Sequence, residues 1–311
     1  MKKMIRLGLR LACLLLPILW GAAPAAAKDS YQTVDGLSYF VRDSGGNGSV
    51  VLMLHGQPDD CTAWDAEVAA LSGAGYRVIC PDLVGYGKSD KPEALDRYRT
   101  ASVAADLDKI LNQLQIHQSV HVVAHDWGVA VANDLYYGVP GRVKSLALLA
   151  VGHLGQYAEE SLTFENSRWN WFILLQGHQR AAELYRANNG AFMRKTSLRS
   201  HPRREAVIAQ LLQPGGIEAA LRWDQANPVI DFYIAANKGE LQALPKYTVP
   251  VLGIAATGDE YLWLSQMKNT RERVAGRFDY MEIEGGTHWM MIDHAAEVSA
   301  RLLSWFASQP R

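Results

Sequence analysis

Val122-Val-Ala-His-Asp-Trp-Gly-Val-Ala-Val131 is the stretch of sequence that decides the fold. It begins apolar and β-branched, as a buried strand does, and continues past Gly128 with small residues that favour a closely packed helix. A strand that passes into a helix over one polar residue is typical of a nucleophile elbow, a strained turn that holds one side chain above a sheet. That side chain is Asp126. A helix N-terminus stabilises such a carboxylate by about 0.3–1 kcal/mol, although a plain N-cap is the simpler alternative.

Polar residues also follow other predicted strands. Strands alternate with helices along the chain, which predicts an α/β fold with a mostly parallel sheet and flanking helices. In such sheets the chemistry lies beyond the carboxyl ends of the strands. Asp259 follows a strand predicted over residues 249–256, and His288 follows one predicted over 278–283. With Asp126 they give the order nucleophile, acid, histidine, which indicates a hydrolase triad. Each of the two can also be a cap or loop residue.

The pattern changes between residues 153 and 244. Strand signals vanish there, and Trp, Gln, Arg and Ala dominate segments with helical spacing. We predict that residues 153–244 are a helical cap, inserted between two strands of a core formed by residues 28–152 and 245–311. No internal repeat interrupts this organisation.

The first 27 residues predict a signal peptide. Lys2, Lys3, Arg6 and Arg10 form a basic start, an apolar run covers residues 11–20, and three alanines at 25–27 offer a cleavage site. The apolar run is shorter than the ~20 residues of a membrane-spanning helix. We therefore expect export to the periplasm or the medium, with a mature chain that starts near Lys28. A retained anchor is the alternative.

Composition narrows the class of partner. The chain has 311 residues, of which 49% are hydrophobic and 20% charged, enough for one large globular domain. Removal of the leader takes the formal net charge from −1 to −5 and leaves no basic stripe, which argues against a nucleic-acid partner. No later stretch is long and apolar enough for a membrane. We expect a small-molecule substrate, and the sequence leaves the oligomeric state open.

The spacing of cysteines and of other possible metal ligands limits which disulfides and metal sites the chain can form. Cys13 leaves with the leader, and Cys61 and Cys80 remain. An exported protein can join such a pair in a disulfide, but the sequence does not give their distance. There is no paired-cysteine pattern and no His-x-x-x-His on a helical pattern, so we expect neither a metal nor a cofactor.

Five motifs resemble the α/β-hydrolases that use an aspartate nucleophile, namely the epoxide hydrolases and the haloalkane or haloacetate dehalogenases. The motifs, which span nearly all of residues 35–307, are His55-Gly-Gln-Pro58, Gly85-Tyr-Gly-Lys-Ser89, His125-Asp-Trp-Gly128, Gly258-Asp259 and Gly286-Thr-His-Trp289. The resemblance implies an α/β-hydrolase fold with an inserted helical cap.

The resemblance also implies roles for the candidate residues. Asp126 would attack a saturated carbon and form an ester. His288 would act as the base on the water that hydrolyses this ester, and Asp259 would fix the tautomer of His288. The backbone N–H groups of Gln57 and Trp127 would form the oxyanion hole.

The chain departs from epoxide hydrolases in the cap. Epoxide opening leaves an alkoxide that needs a proton, and related epoxide hydrolases supply two cap tyrosines. In the registers that we assign, Trp171 and Asp224 stand in those places. A buried Asp224 could be kept neutral and act as the acid, but we expect it to be an exposed cap carboxylate. Tyr157, Tyr185 and Tyr233 are substitutes without positional support.

A dehalogenase is the second interpretation. A halide leaving group needs N–H donors, which the indoles of Trp127 and Trp171 could offer, and Asn170 stands where some dehalogenases have histidine. Gln57 and Trp127, however, replace the asparagine and arginine typical of the two dehalogenase groups. We expect an exported hydrolase most like epoxide hydrolases. A dehalogenase, and a hydrolase fold that only binds its ligand, remain alternatives.

Overall fold

The computed structural model describes residues 28–161, 163, 171–240 and 244–309. Eight strands in these residues form one sheet: β1 (Lys28–Val34), β2 (Leu37–Asp43), β3 (Val50–Leu54), β4 (Arg77–Pro81), β5 (Val120–His125), β6 (Val143–Leu149), β7 (Val251–Ala256) and β8 (Phe278–Ile283). Their order across the sheet is β1-β2-β4-β3-β5-β6-β7-β8.

The sheet is parallel except at one edge. Strands β3 to β8 run parallel, β2 pairs antiparallel with β4, and β1 pairs antiparallel with β2 across the turn at Asp35 and Gly36. The predicted mostly parallel sheet is confirmed. Strands β3 and β5 are buried along their whole length because apolar residues occupy both faces, as in a sheet covered on both sides.

The four longest helices outside the cap region pack in two pairs. Helix Asp65–Gly73 packs against Ala295–Ala307, and helix Thr100–Gln113 packs against Trp127–Gly138. A short helix, Met290–Asp293, precedes the closing helix and is separated from it at His294.

Between β6 and β7 the described residues include six helices, which together with their connections we call the lid (residues 154–161, 163 and 171–237). These helices are Leu154–Ser161, Phe172–Gln176, Ala181–Lys195, Arg204–Leu211, Gly216–Ala226 and Val229–Asn237. The third is broken at residues 187–190, where four residues leave the helical conformation. The bounds predicted for cap and core stay a prediction.

Specific hydrogen bonds fix the lid to the sheet. Buried Asp59, in the loop after β3, accepts hydrogen bonds from His201 and Arg203 of the lid at 3.2 Å each. The indole of Trp223 donates to the carbonyl of Val84 at 3.0 Å. These contacts hold the lid over loops that follow the carboxyl ends of β3 and β4.

Cys61 and Cys80 are joined by a disulfide, which answers a question that the sequence left open. Both residues are fully buried. The predicted leader lies outside the described residues. Over residues 28–161, 163, 171–240 and 244–309, no helix has the length and hydropathy needed to cross a membrane.

Candidate active site

Asp126 occupies a strained turn between β5 and helix Trp127–Gly138. Its φ is 52° and its ψ −123°, a backbone conformation that costs a non-glycine residue about 1–3 kcal/mol. Two glycines make the turn possible. A Cβ on Gly56 would lie 2.3 Å from the Asp126 Cβ, and one on Gly128 would lie 2.5 Å from the carbonyl oxygen of Leu54. The Asp126 side chain is 25% exposed and lines a cavity.

Backbone donors meet the Asp126 carboxylate. The N–H of Gln57 donates to Asp126 Oδ1 at 2.8 Å. The N–H of Trp127 is a second hydrogen-bond donor to this carboxylate. The structure therefore places both predicted oxyanion donors at the predicted nucleophile. His55 supports the loop that carries Gln57, because it donates from Nδ1 to the Gly56 carbonyl (3.0 Å) and accepts at Nε2 from the Leu83 N–H (2.9 Å).

His288 lies between the two aspartates. Its Nδ1 is 2.9 Å from Asp259 Oδ2, and its Nε2 is 3.6 Å from Asp126 Oδ2. Asp259 is itself oriented by the N–H groups of Tyr261 and Leu262, at 2.8 and 3.0 Å. The three residues predicted as a triad thus come together although they follow three different strands.

The charges of this cluster depend on one another. Burial alone would lower the pKa of His288, but the charge of Asp259 and hydrogen bonds to both aspartates outweigh it and raise the pKa to about 10. Burial alone would raise the pKa of Asp126, but the hydrogen bond and charge of His288 lower it to about 2. Asp126 is therefore an anion at neutral pH, paired with a protonated His288.

A cavity of about 150 Å³ separates Asp126 and His288 from the lid. Its wall is mostly apolar and comes largely from the lid: Leu154, Phe172, Ile173, Met193, Leu198, Leu211, Ile217, Ala220 and Leu221. Polar groups are few and come from both sides, with Gln57, Asp126 and His288 on the core wall and Gln176, Ser197, Asp224 and Asn227 on the lid wall, so the cavity suits a largely apolar small molecule. None of these apolar wall residues was predicted from the sequence.

Known proteins share this architecture. A family model described as the alpha/beta hydrolase fold matches residues 49–295. The chain belongs to this family. Epoxide hydrolase A of Mycobacterium tuberculosis is 27% identical to it over 318 residues, which cover 90% of this chain and 97% of that protein. An AB hydrolase superfamily protein of Bacillus subtilis is 28% identical, covering 91% of this chain and 99% of its own.

A solved structure extends the comparison. The crystal structure of an epoxide hydrolase from Vigna radiata matches with a TM-score of 0.74 at 22% identity, covering 91% of this chain and 99% of that one. At this identity the likeness shows the fold alone. Together the relatives and the fold make this α/β-hydrolase an enzyme similar to the epoxide hydrolases.

The hydrolase buries Asp224, which corrects the exposed position expected for it. Asp224 is 3% exposed and lines the cavity. The reason is its place on helix Gly216–Ala226, where Ile217, Ala220, Leu221 and Asp224 form one stripe at helical spacing and all four face the cavity. That spacing is the sequence signal that could have placed Asp224 inside.

The other residues predicted at the leaving-group site do not offer a free donor to the cavity in the described structure. Trp171 was expected at the leaving-group site, but it is 48% exposed, packs edge-on against Phe192 and is not part of the cavity wall. Trp171 occupies the N-cap position of helix Phe172–Gln176. The residue that faces the cavity is Phe172, the first residue of that helix. Asn170 lies outside the described residues. Trp127 does line the cavity, but its indole N–H donates to Gln57 Oε1 at 3.0 Å.

Two of the three substitute tyrosines, Tyr157 and Tyr185, line the cavity of the hydrolase, whereas Tyr233 is not part of its wall. In the part of the chain that the structure describes, no group of three or more His, Cys, Asp or Glu side chains is arranged to hold a metal ion.

Proposed function

We propose that this hydrolase opens epoxides through a covalent ester on Asp126 and then hydrolyses the ester to release a diol. One observation carries the proposal: a carboxylate stands at the elbow, in contact with the N–H of Gln57 and within 3.6 Å of His288. The relatives that are named epoxide hydrolases support the choice of substrate.

The first step uses Asp126 as the nucleophile. Because its pKa is near 2, the carboxylate is ionised and needs no base before it attacks. One of its oxygens forms a bond to an epoxide carbon, the C–O bond of the ring breaks, and the electron pair stays on the epoxide oxygen. That oxygen then requires a proton.

The second step uses His288 as the base. Ester formation removes the negative charge of Asp126, which is one of the causes that raise the pKa of His288. The imidazole can then lose its proton and accept one from water. The hydroxide attacks the ester carbonyl, whose oxygen is stabilised by the backbone donors at Gln57 and Trp127. One such donor contributes about 3–4 kcal/mol.

The proposal is tested by trapping the ester intermediate on Asp126. His288→Gln should form the ester but not hydrolyse it, so intact-mass spectrometry should show one added substrate mass, located by proteolysis on the peptide with Asp126. Asp126→Ala should show none. In heavy-oxygen water, a single turnover of the wild type should label Asp126. Label found only in the diol would mean direct attack of water on the epoxide and would overturn the mechanism.

No observation favours the dehalogenase alternative. The indole of Trp127 already donates to Gln57, and Trp171 is not part of the cavity wall. A panel that includes alkyl halides tests this. Halide release with an adduct on Asp126, and no turnover of epoxides, would reverse the order of the two functions. A panel without any adduct would favour a binding protein.

We also propose that the enzyme is exported and starts near Lys28. The basic and apolar order of residues 1–27 supports this, as does the disulfide between Cys61 and Cys80, since such bonds persist in oxidising compartments. N-terminal sequencing of protein from the native host is the test. An intact Met1 in a cytoplasmic fraction would exclude export.

A further inference from the structure

Asp224 is a buried acid in the cavity to which the two steps above give no role. It is 3% exposed and shares the cavity wall with Asp126. Its Oδ2 is buried and has no hydrogen-bond partner among the described residues. Leaving a buried polar atom unpaired is unfavourable. Because Asp224 lines the cavity, its carboxyl group is a candidate to contact the substrate.

Gln57 connects Asp224 to the nucleophile. The backbone N–H of Gln57 donates to Asp126 at 2.8 Å, and its side-chain Oε1 accepts from the Trp127 indole at 3.0 Å. The amide nitrogen remains for Asp224, and the Gln57 side chain is the hydrogen-bonding neighbour of that carboxyl. A single residue therefore separates Asp224 from Asp126, so a small epoxide in contact with Asp126 lies within reach of both.

The position of Asp224 is fixed by the residue before it. Trp223 is fully buried, donates its indole N–H to the Val84 carbonyl, and lies with its ring centroid 5.9 Å from that of Trp127. These contacts tie this turn of the lid helix to the core. Asp224 is thus held on a rigid element, as an acid that must meet a substrate oxygen requires.

The surroundings keep Asp224 protonated. Burial and the charge of Asp126 both raise its pKa well above the ordinary value, and the hydrogen bond of Gln57 opposes them only in part. Among the described residues, its other titratable neighbours are Tyr86, Tyr157 and Tyr185, which are neutral phenols. With no cation among these groups, the carboxyl is a neutral acid at neutral pH.

We propose that Asp224 is the acid that protonates the epoxide oxygen while Asp126 opens the ring, an inference that rests on the proposed epoxide hydrolysis. Asp126 bonds to the carbon, the C–O bond breaks, and the oxygen takes the proton from Asp224, which becomes a carboxylate.

The protons then balance over the cycle. Once the ester has formed, the protonated His288 gives up its proton and the Asp224 carboxylate takes one up, both by exchange with water that enters the cavity. Neutral His288 next takes a proton from the hydrolytic water, and the hydroxide adds to the ester carbonyl. When the ester C–O bond breaks, the proton of the new Asp126 carboxylic acid passes to the product oxygen. Asp126, Asp224 and His288 are restored.

The test measures ester formation alone. In His288→Gln, rapid quench and intact-mass spectrometry give the rate at which a single turnover loads Asp126. Adding Asp224→Asn should slow this rate about 100-fold or more, the usual contribution of a general acid. Adding Glu67→Gln is the matched control. Glu67 is also a buried carboxyl whose pKa burial raises, to about 8, but it contacts Ser299 and does not line the cavity, so the rate should not change.

The pH dependence of ester formation distinguishes an acid from a residue that has only a structural role. In His288→Gln, ester formation should fall as pH rises through the pKa of Asp224, because the acid must be protonated. With Asp224→Asn added, that fall should vanish. At neutral pH, infrared spectra in light and heavy water should show the C=O band of a protonated carboxylic acid that Asp224→Asn removes.

The outcomes separate the two proposals. If His288→Gln never loads Asp126 with any epoxide, the proposed function fails. If it loads Asp126 at a rate that neither Asp224→Asn nor pH alters, the epoxide function stands and the assignment of Asp224 is overturned. The assignment is also overturned if Tyr185→Phe slows loading and Asp224→Asn does not. Should Asp224→Asn not fold, the pH profile of His288→Gln decides.

Discussion

At the scale of single residues, Gly56 provides the space in which Asp126 works. A Cβ at position 56 would meet the Cβ of Asp126 at 2.3 Å, so Gly56→Ala must displace the nucleophile. We expect kcat/KM on a good epoxide to fall about 100-fold, as a displacement of the order of 1 Å commonly causes.

Gly73→Ala is the matched control, since nothing lies within 4 Å of its Cβ position, and its activity should equal that of the wild type. Equal activity of the two variants would contradict the role given to Gly56.

His288 should make stability depend on pH. Its pKa is raised from 6.5 to about 10 by its aspartate partners, against the effect of burial. A raised histidine pKa stabilises the folded state fully below pH 6.5, and this contribution is lost as pH rises towards 10. Urea unfolding of the wild type between these pH values should therefore show a steeper decline than that of His288→Gln. Parallel curves would mean that the ion pair does not form.

The residue scale also shows what a sequence can predict. Asp126, Asp259 and His288 were predictable because each follows an apolar strand and parallel strands end at one edge of a sheet. Asp224 was expected on the surface because charged side chains are usually exposed. Its position in the stripe of a helix that faces the cavity is what buries it. The neutral state of Asp224 depends on Asp126, which is 98 residues away in sequence.

At the scale of elements, one buried carboxylate contributes to the attachment of the lid. Asp59 accepts from His201 and Arg203 and is almost fully buried. Removing one partner of a buried ion pair costs about 3–5 kcal/mol, so Asp59→Asn should lose about 3 kcal/mol of unfolding free energy in urea and expose the lid to proteolysis.

Glu183→Gln serves as the control, because Glu183 pairs with Arg180 on the open surface. Such pairs contribute less than about 1 kcal/mol. If both variants unfold and are cleaved alike, Asp59 does not hold the lid.

Elements were easier to predict in the core than in the lid. Strand β8 has the predicted bounds, because an alternating apolar run ends there at turn residues. The prediction that Trp171 lies at the leaving-group site was wrong. Helix Phe172–Gln176 begins just after Trp171, and the next residue, Phe172, faces inward instead. A five-residue helix is too short to show a clear hydrophobic period, so the sequence could not predict which side of this helix faces the cavity.

At the scale of the whole molecule, the disulfide joins the loop after β3 to the end of β4. It links residues with a sequence separation of 19, and closing a loop of this size stabilises a fold by about 3 kcal/mol. Cys61→Ser with Cys80→Ser should lower the unfolding free energy by about this amount.

Reductant should destabilise the wild type towards the same value and leave the double variant unchanged. A double variant as stable as the oxidised wild type would show that the bond does not form in solution.

The division of the cavity between core and lid has a consequence for chirality. Asp126 belongs to the core wall and Asp224 to the lid wall, so a bound epoxide meets its nucleophile and its acid from different sides. Displacement inverts the attacked carbon, and the ester is later cut at its acyl bond, so the inversion survives. A meso cyclic epoxide should therefore leave as the trans diol. Because the two walls are not mirror images, they choose which of its two carbons is inverted, and one enantiomer of the diol should predominate on a chiral column.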